Sequence, residues 1–244
     1  MSSAVSCVVP ARWASSRFPG KLLMPLAGVP LIVHTLRRAE AAGCFAEILC
    51  LTDSENILAV ARKAGFRAEI SGPAANGTER IARNLRTISN NLIVNLQGDE
   101  PIFPSAGLRL LCNALQADPV SAHVLVHDRE LSPEEIANPN RCKAGLDAEG
   151  RVLDFYRAQP HDSATERLPI VLSRLQMGAY GYAKDYLRKY ATLSVSPLEL
   201  SESHELLRDL ELAPVRSHGC AESSQAVDVP QDLEEAHALL LRSA

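Results

Sequence analysis

Residues 4–21 read AVSCVVPARWASSRFPGK. A valine-rich apolar run ends at Pro10, and Arg12, Arg17 and Lys21 then crowd into a short loop with two serines and a glycine. A short, continuous apolar run predicts a strand buried on both faces, as in a parallel sheet covered by helices. In such sheets ligands bind beyond the carboxyl ends of the strands. The basic loop is therefore a candidate anion site placed by the fold.

The pattern continues outward from this strand. PLIVHTLRRAEAAG, from Pro30, has helical spacing and stops at Gly43. Glu47 to Thr52 (EILCLT) predicts a second buried strand, with Asp53 and Ser54 capping a helix through Ala64. A short strand over Arg67 to Ile70, a helix from about Gly77, a strand over Asn91 to Leu96 and a helix from Pro104–Ser105 to Ala117 follow. This alternation predicts a doubly wound, mostly parallel α/β sheet. Beyond residue 120, HVLVH, RVLDFYRA and QMGAYGYA read as strands separated by polar loops. Helices are expected over Lys184–Ala191 and Leu198–Glu211, then a strand over Val215–Gly219 and a last helix from Pro230. We expect one domain over 1–244, with a smaller β lobe inserted at about 120–195.

Composition narrows the function. Twenty-five Lys and Arg against 29 Asp and Glu leave a net charge of −4, so no global basic field points to nucleic acid. No run approaches the ~20 apolar residues of a membrane helix, and no leader pattern is seen, so a cytoplasmic location is expected. The six cysteines lack Cys-x-x-Cys pairing and read as reduced, buried thiols; the seven histidines lack metal-ligand spacing.

The loops at the strand ends carry the chemistry. Arginine forks and a lysine suit phosphate oxygens. This is not a P-loop, because Leu22 follows Gly20–Lys21 and Ser15 stands where the first glycine belongs. QGDEP, Gln97 to Pro101, places Asp99 directly after a buried strand, where a carboxylate could hold Mg²⁺ beside a triphosphate; a simple turn is the alternative. Asp228 in AVDVP is a second candidate, equally readable as a turn or cap. NGTERIA, Asn76 to Ala82, offers the first turn of a helix to an anion, or has Thr78 as a plain N-cap. Together these features suit nucleotidyl transfer.

VVPARWASSRFPGK, NGTERIA, VNLQGDEP, NPNRCK with LDAEG, RLQMGAYGY, SPLE and AVDVPQDLE occur in the order found in CMP-Kdo synthetases, the 3-deoxy-manno-octulosonate cytidylyltransferases of the nucleotide-diphospho-sugar transferase superfamily. The chain resembles that family over nearly its whole length. The resemblance implies Mg²⁺-dependent transfer of CMP from CTP to the anomeric hydroxyl of a sugar acid, in a cytoplasmic homodimer. It implies a CTP site of Pro10, Ala11, Arg12, Ser15, Arg17, Lys21, Gly77, Thr78, Arg80 and Gln97, with Asp99 and Asp228 as metal carboxylates. Arg12, Lys21, Asp99 and Asp228 would form the catalytic set, and Arg157, Gln176, Tyr180, Glu202 and Glu205 the sugar side.

On the sugar side the chain departs from the family. YRAQPHD keeps Arg157 but lacks the usual Ile-Pro-Trp end, Gln176 replaces a histidine, and Leu206 stands where a glutamine facing sugar hydroxyls is expected. Such changes predict an altered sugar preference, with drift at positions that contribute little as the other reading. A binding protein without activity, or a nucleotidyltransferase for another base or acceptor, are the alternative readings.

Overall fold

The computed structural model describes residues 4–14, 18–161, 170–202 and 204–242. Its first strand, β1 (Val5–Ala11), is buried along all seven residues. Alternate side chains enter two cores: Val5, Cys7 and Val9 face one, and Val8 faces the other with Leu49, Leu51, Ile81 and Ile93. That is the period of two expected of a strand covered on both sides.

A 3₁₀ turn (Lys21–Leu23) and a small hairpin of β2 (Pro25–Leu26) and β3 (Val29–Pro30) lead into α1 (Leu31–Ala42). Helix α1 ends on Gly43 at φ 66°, the left-handed conformation that favours glycine. Then come β4 (Glu47–Thr52), α2 (Glu55–Lys63), β5 (Arg67–Ile70), α3 (Gly77–Arg83), β6 (Leu92–Leu96) and α4 (Ser105–Ala117), close to the boundaries expected from sequence. The N-cap of α3 is Asn76, whose side chain accepts from the Glu79 N–H, so Thr78 is not the cap.

The second half comprises β7 (Ala122–His127), α5 (Pro133–Ala137), β8 (Lys143–Leu146), β9 (Arg151–Tyr156), β10 (Leu172–Ala183), α6 (Lys184–Tyr190), α7 (Pro197–Glu202), β11 (Val215–Cys220) and α8 (Pro230–Arg242). The single helix expected over Leu198–Glu211 is instead α7 followed by two 3₁₀ turns, Glu205–Leu207 and Asp209–Glu211. Two buried side chains pin this segment to different neighbours, which a continuous helix could not serve together. Arg208 bonds back to Glu199, and Asp209 accepts from the Tyr182 and Tyr186 hydroxyls.

Among the described residues the strands form a nine-stranded sheet in the order β5-β4-β1-β6-β10-β7-β11-β9-β8. Strands β5, β4, β1 and β6 are parallel, as expected, but β10 enters antiparallel and the sheet is mixed from there on. The long β10 also pairs with β8, so β10, β7, β11, β9 and β8 make a closed circuit. The stretch expected as an inserted lobe therefore shares β10 with the main sheet. No helix among the described residues is long and apolar enough to cross a membrane. All six cysteines are free thiols.

Candidate active site

A cleft of about 1010 Å³ opens over the strand ends, bounded by the loops after β1, β5, β6 and β11 and by a wall built from residues 138–142, 175–180, 195–202 and 204–205. Its head is a charge cluster. Lys21, from the turn after β1, donates from Nζ to Asp99 Oδ2 at 2.5 Å, to the Val227 carbonyl at 2.7 Å and to Asp228 Oδ1 at 3.1 Å. Burial opposes its charge, but the two carboxylates outweigh that cost and raise the lysine pKa.

Each carboxylate is aimed by backbone. Asp99 lies in the tight loop after β6. There Gly98 has no room for a side chain, since a Cβ would sit 2.9 Å from the Pro10 carbonyl. Helix α1 grips that loop from outside: Thr35 Oγ1 donates to the Gly98 carbonyl at 2.9 Å and Arg38 Nε to the Pro101 carbonyl at 3.2 Å. Asp228 precedes α8, and Asp232 of its first turn accepts from the Asp228 and Val229 N–H groups at 2.7 and 2.9 Å. The Val227 N–H to Asp99 carbonyl bond, 2.9 Å, ties the two loops together.

Glu100, next to Asp99, is fully buried. Burial, and then the Asp99 charge, push its pKa up to about 8. Its Oε1 accepts from the Gly178 N–H at 3.0 Å, where β10 breaks register with β7, while Oε2 has no partner among the described residues. A β-bulge beside a site commonly re-aims a backbone group in this way. Sequence reasoning read this glutamate only as a turn residue.

The remaining expected residues divide into those that face the cleft and those that do not. Arg12 and Pro10 line it, while Ala11 is fully buried in β1. Ser15 and Arg17 lie outside the described residues. Arg80 reaches the cleft wall but is 2% exposed, held by Asp53 Oδ2 at 2.8 Å and the Gly72 carbonyl at 2.9 Å. Thr78 does not reach the cleft: it is fully buried, and its N–H and Oγ1 both donate to Glu205, at 3.2 and 3.1 Å. Gln97 Nε2 donates to the same carboxylate at 3.1 Å. Glu205, expected on the sugar side, thus occupies the first turn of α3 that the sequence offered to an anion.

Of the residues expected on the sugar side, Gln176, Tyr180 and Glu202 line the cleft. Arg157 does too, but Nε donates to the Glu202 carbonyl at 2.9 Å and Nη1 to the Asn140 carbonyl at 3.0 Å. Leu206 is a correction: it is fully buried in the core cluster that includes Tyr186 and Tyr190, and it does not line the cleft. His161, in the divergent AQPHD run, is clamped by Asp154 Oδ1 at 2.9 Å and lies 3.4 Å from Glu202 Oε1. Cys142 and His204 meet at 3.3 Å in the cleft wall. Burial raises the thiol to about 12 and lowers the imidazole to about 3, so the pair is neutral and offers no activated thiolate. These long-range partners leave no local pattern in the sequence.

A cationic loop and two converging carboxylates at the open ends of a parallel sheet, without a P-loop, are the apparatus of a nucleotidyltransferase. Residues 6–217 match the family model described as cytidylyltransferase. The 3-deoxy-manno-octulosonate cytidylyltransferase of Anaeromyxobacter sp. (strain Fw109-5) is 37% identical over 240 residues, covering 97% of this chain and 96% of its own length. The enzyme of the same description from Myxococcus xanthus (strain DK1622) is 38% identical over 237 residues, covering 96% and 95%. A structure of CMP:2-keto-3-deoxy-manno-octonic acid synthetase complexed with CTP matches with a TM-score of 0.86 at 29% identity, covering 99% of this chain and all of that one. HddC from Yersinia pseudotuberculosis, at 12% identity and a TM-score of 0.70 over 96% of this chain and 99% of its own, speaks to the fold alone. The chain belongs to the cytidylyltransferase family.

Proposed function

We propose that the protein transfers CMP from CTP to the anomeric hydroxyl of Kdo or a related 3-deoxy sugar acid, releasing pyrophosphate, as a cytoplasmic homodimer serving lipopolysaccharide synthesis. The observation that carries this reading is the convergence of Asp99 and Asp228, from loops far apart in sequence, on one cation seat beside the basic loop. The relatives' substrates and the CTP in the matching structure support the choice of nucleotide and acceptor.

The donor set also fits Mg²⁺. Two hard carboxylate oxygens already share one cation, and magnesium takes one or two carboxylates together with phosphate oxygens and water. Asp99 and Asp228 would hold the ion, which would supply Lewis-acid neutralisation of the phosphate charge. The chain's own residues do the rest. Arg12 and Lys21 bind and neutralise the triphosphate, with Gln97 and the Gly77 backbone at the nucleotide edge of the cleft. Tyr180, Gln176 and Glu202 position the sugar acid so that its anomeric oxygen meets the α-phosphorus in line. The new bond is oxygen to α-phosphorus; the α–β bridging P–O bond breaks, its electron pair leaves with pyrophosphate, and the hydroxyl proton passes to solvent water. Holding both reactants in that line supplies much of the acceleration.

The test is pyrophosphate release by the purified protein with Mg²⁺ and CTP, across Kdo, 8-amino-Kdo, sialic acid and a blank without sugar. Release with one 3-deoxy-octulosonate and not with sialic acid or the blank is expected. A protein that binds CTP but releases no pyrophosphate with any of them would overturn the reading.

A further inference from the structure

An ammonium has three donors, and Lys21 directs two of them at Asp99 and Asp228, the carboxylates where the proposed metal ion would bind, and the third at the Val227 carbonyl beside them. The group is 9% exposed, and its stem is held by the turn that carries it, in which the Leu23 N–H bonds the Gly20 carbonyl at 2.9 Å and the Met24 N–H the Lys21 carbonyl at 3.1 Å. As seated, Lys21 has no donor left for a phosphate. A divalent ion entering between the same carboxylates would stand against a fixed positive charge and compete for the same lone pairs. The two occupants exclude one another, and the ammonium can leave only if another anion receives it.

We propose that Lys21 is a placeholder cation: it fills the seat between Asp99 and Asp228 in the nucleotide-free protein and yields it to a divalent ion when a triphosphate draws the ammonium away. This rests on the reading of Asp99 and Asp228 as the metal carboxylates. The same swap keeps the two acidic loops together before substrate arrives, because one cation always bridges them. It also makes nucleotide and metal binding reciprocal. Each must tighten the other by the same factor, since both depend on one displacement of one side chain.

The probe is Mn²⁺, titrated against the full-length protein with free Mn²⁺ read by electron paramagnetic resonance, with and without CTP and without sugar. Wild type should bind Mn²⁺ weakly alone and at least tenfold more tightly with CTP. Lys21→Met should bind it at least tenfold more tightly than wild type without nucleotide, and CTP should then add less than threefold. Arg12→Gln removes a cation from the same cleft without opening the seat and should leave nucleotide-free binding within twofold. Equal gains from Lys21→Met and Arg12→Gln would mean general charge and would overturn the placeholder. So would a gain in Lys21→Met that survives Asp99→Asn. CTP-dependent Mn²⁺ binding untouched by Asp99→Asn would instead overturn the metal assignment itself. If Lys21→Met does not fold, wild type decides alone: Mn²⁺ without CTP should leave its melting temperature unmoved, and an upward shift removed by Asp99→Asn would sink the idea.

Discussion

The two ends of the cleft are built by different means. At the end proposed for the nucleotide, three charged residues are aimed by the backbone that carries them: Asp99 by the loop after β6, Lys21 by the turn after β1, Asp228 by the first turn of α8. At the end proposed for the sugar, positions are set by side-chain pairs: Arg208 with Glu199 and His161 with Asp154 over a few residues, Asn76 with Glu199 and His161 with Glu202 over many. A site aimed by backbone tolerates little change, because moving it means moving a strand. A site held by pairs can be re-paired.

Four changes would break or sharpen this contrast. At the nucleotide end, Asp99→Asn should reduce pyrophosphate release by about 10³-fold while circular dichroism stays unchanged, because a preorganised charge is removed without removing volume. Near-normal turnover would show that the backbone-aimed carboxylate is not the essential one.

At the sugar end the largest effect should be on stability. Arg208 and Glu199 form a bidentate pair, 2.6 and 2.8 Å, with side chains only 3% and 5% exposed, and the guanidinium lies 4.4 Å over the Tyr190 ring. Removing one partner leaves the other charge buried, so Arg208→Met should cost about 3–5 kcal/mol in urea unfolding. Adding Glu199→Leu should recover part of it. A single variant as stable as wild type would show that the pair does not hold this wall.

Gly178→Ala probes the join between the ends. A Cβ there would sit 2.3 Å from Glu100 Oε1 and 2.8 Å from its Cγ, so Glu100 or the bulge must shift. We expect a loss of about 1–3 kcal/mol and a fall in turnover smaller than that of Asp99→Asn, read by urea unfolding and pyrophosphate release. Unchanged stability and turnover would show that the join is slack.

The smallest effect belongs to His161. Burial opposes its charge, yet Asp154 and Glu202 raise its pKa above 6.5. A raised histidine contributes stability that is fully present below pH 6.5 and fades as pH rises through the folded pKa. His161→Gln should therefore unfold more easily than wild type at pH 6, by less than about 1 kcal/mol for this partly exposed pair. The two should converge by pH 9, and a difference that widens with pH would contradict the assignment.

The same contrast governs what could be read from the sequence. Strands β1, β4 and β6 announce themselves because burial on both faces demands an unbroken apolar run, and the residues just after them name the nucleotide end. Strand β8 does not. Its residues Lys143–Leu146 include a fully buried lysine whose ammonium is satisfied by the carbonyls of Asn138 and Arg157, a solution no local pattern signals. Helix α5 was missed although Ser132 and Glu135 form a capping box, because it buries none of its residues and so has no apolar stripe. The sequence reading places Thr78 and Glu205 on two different ligands, yet they bond each other across 127 residues of sequence. Sequence position shows what a strand delivers to its own end and is silent about what another segment brings to meet it.

The grip of α1 on the loop that carries Asp99 has a consequence for how this protein could be tuned. Thr35 and Arg38 hold the Gly98 and Pro101 carbonyls without lining the cleft. A change at either would alter the pitch of a carboxylate at the chemical centre while leaving every substrate contact in place. These are remote adjusting screws, and a screen that varied only the cleft would never turn them.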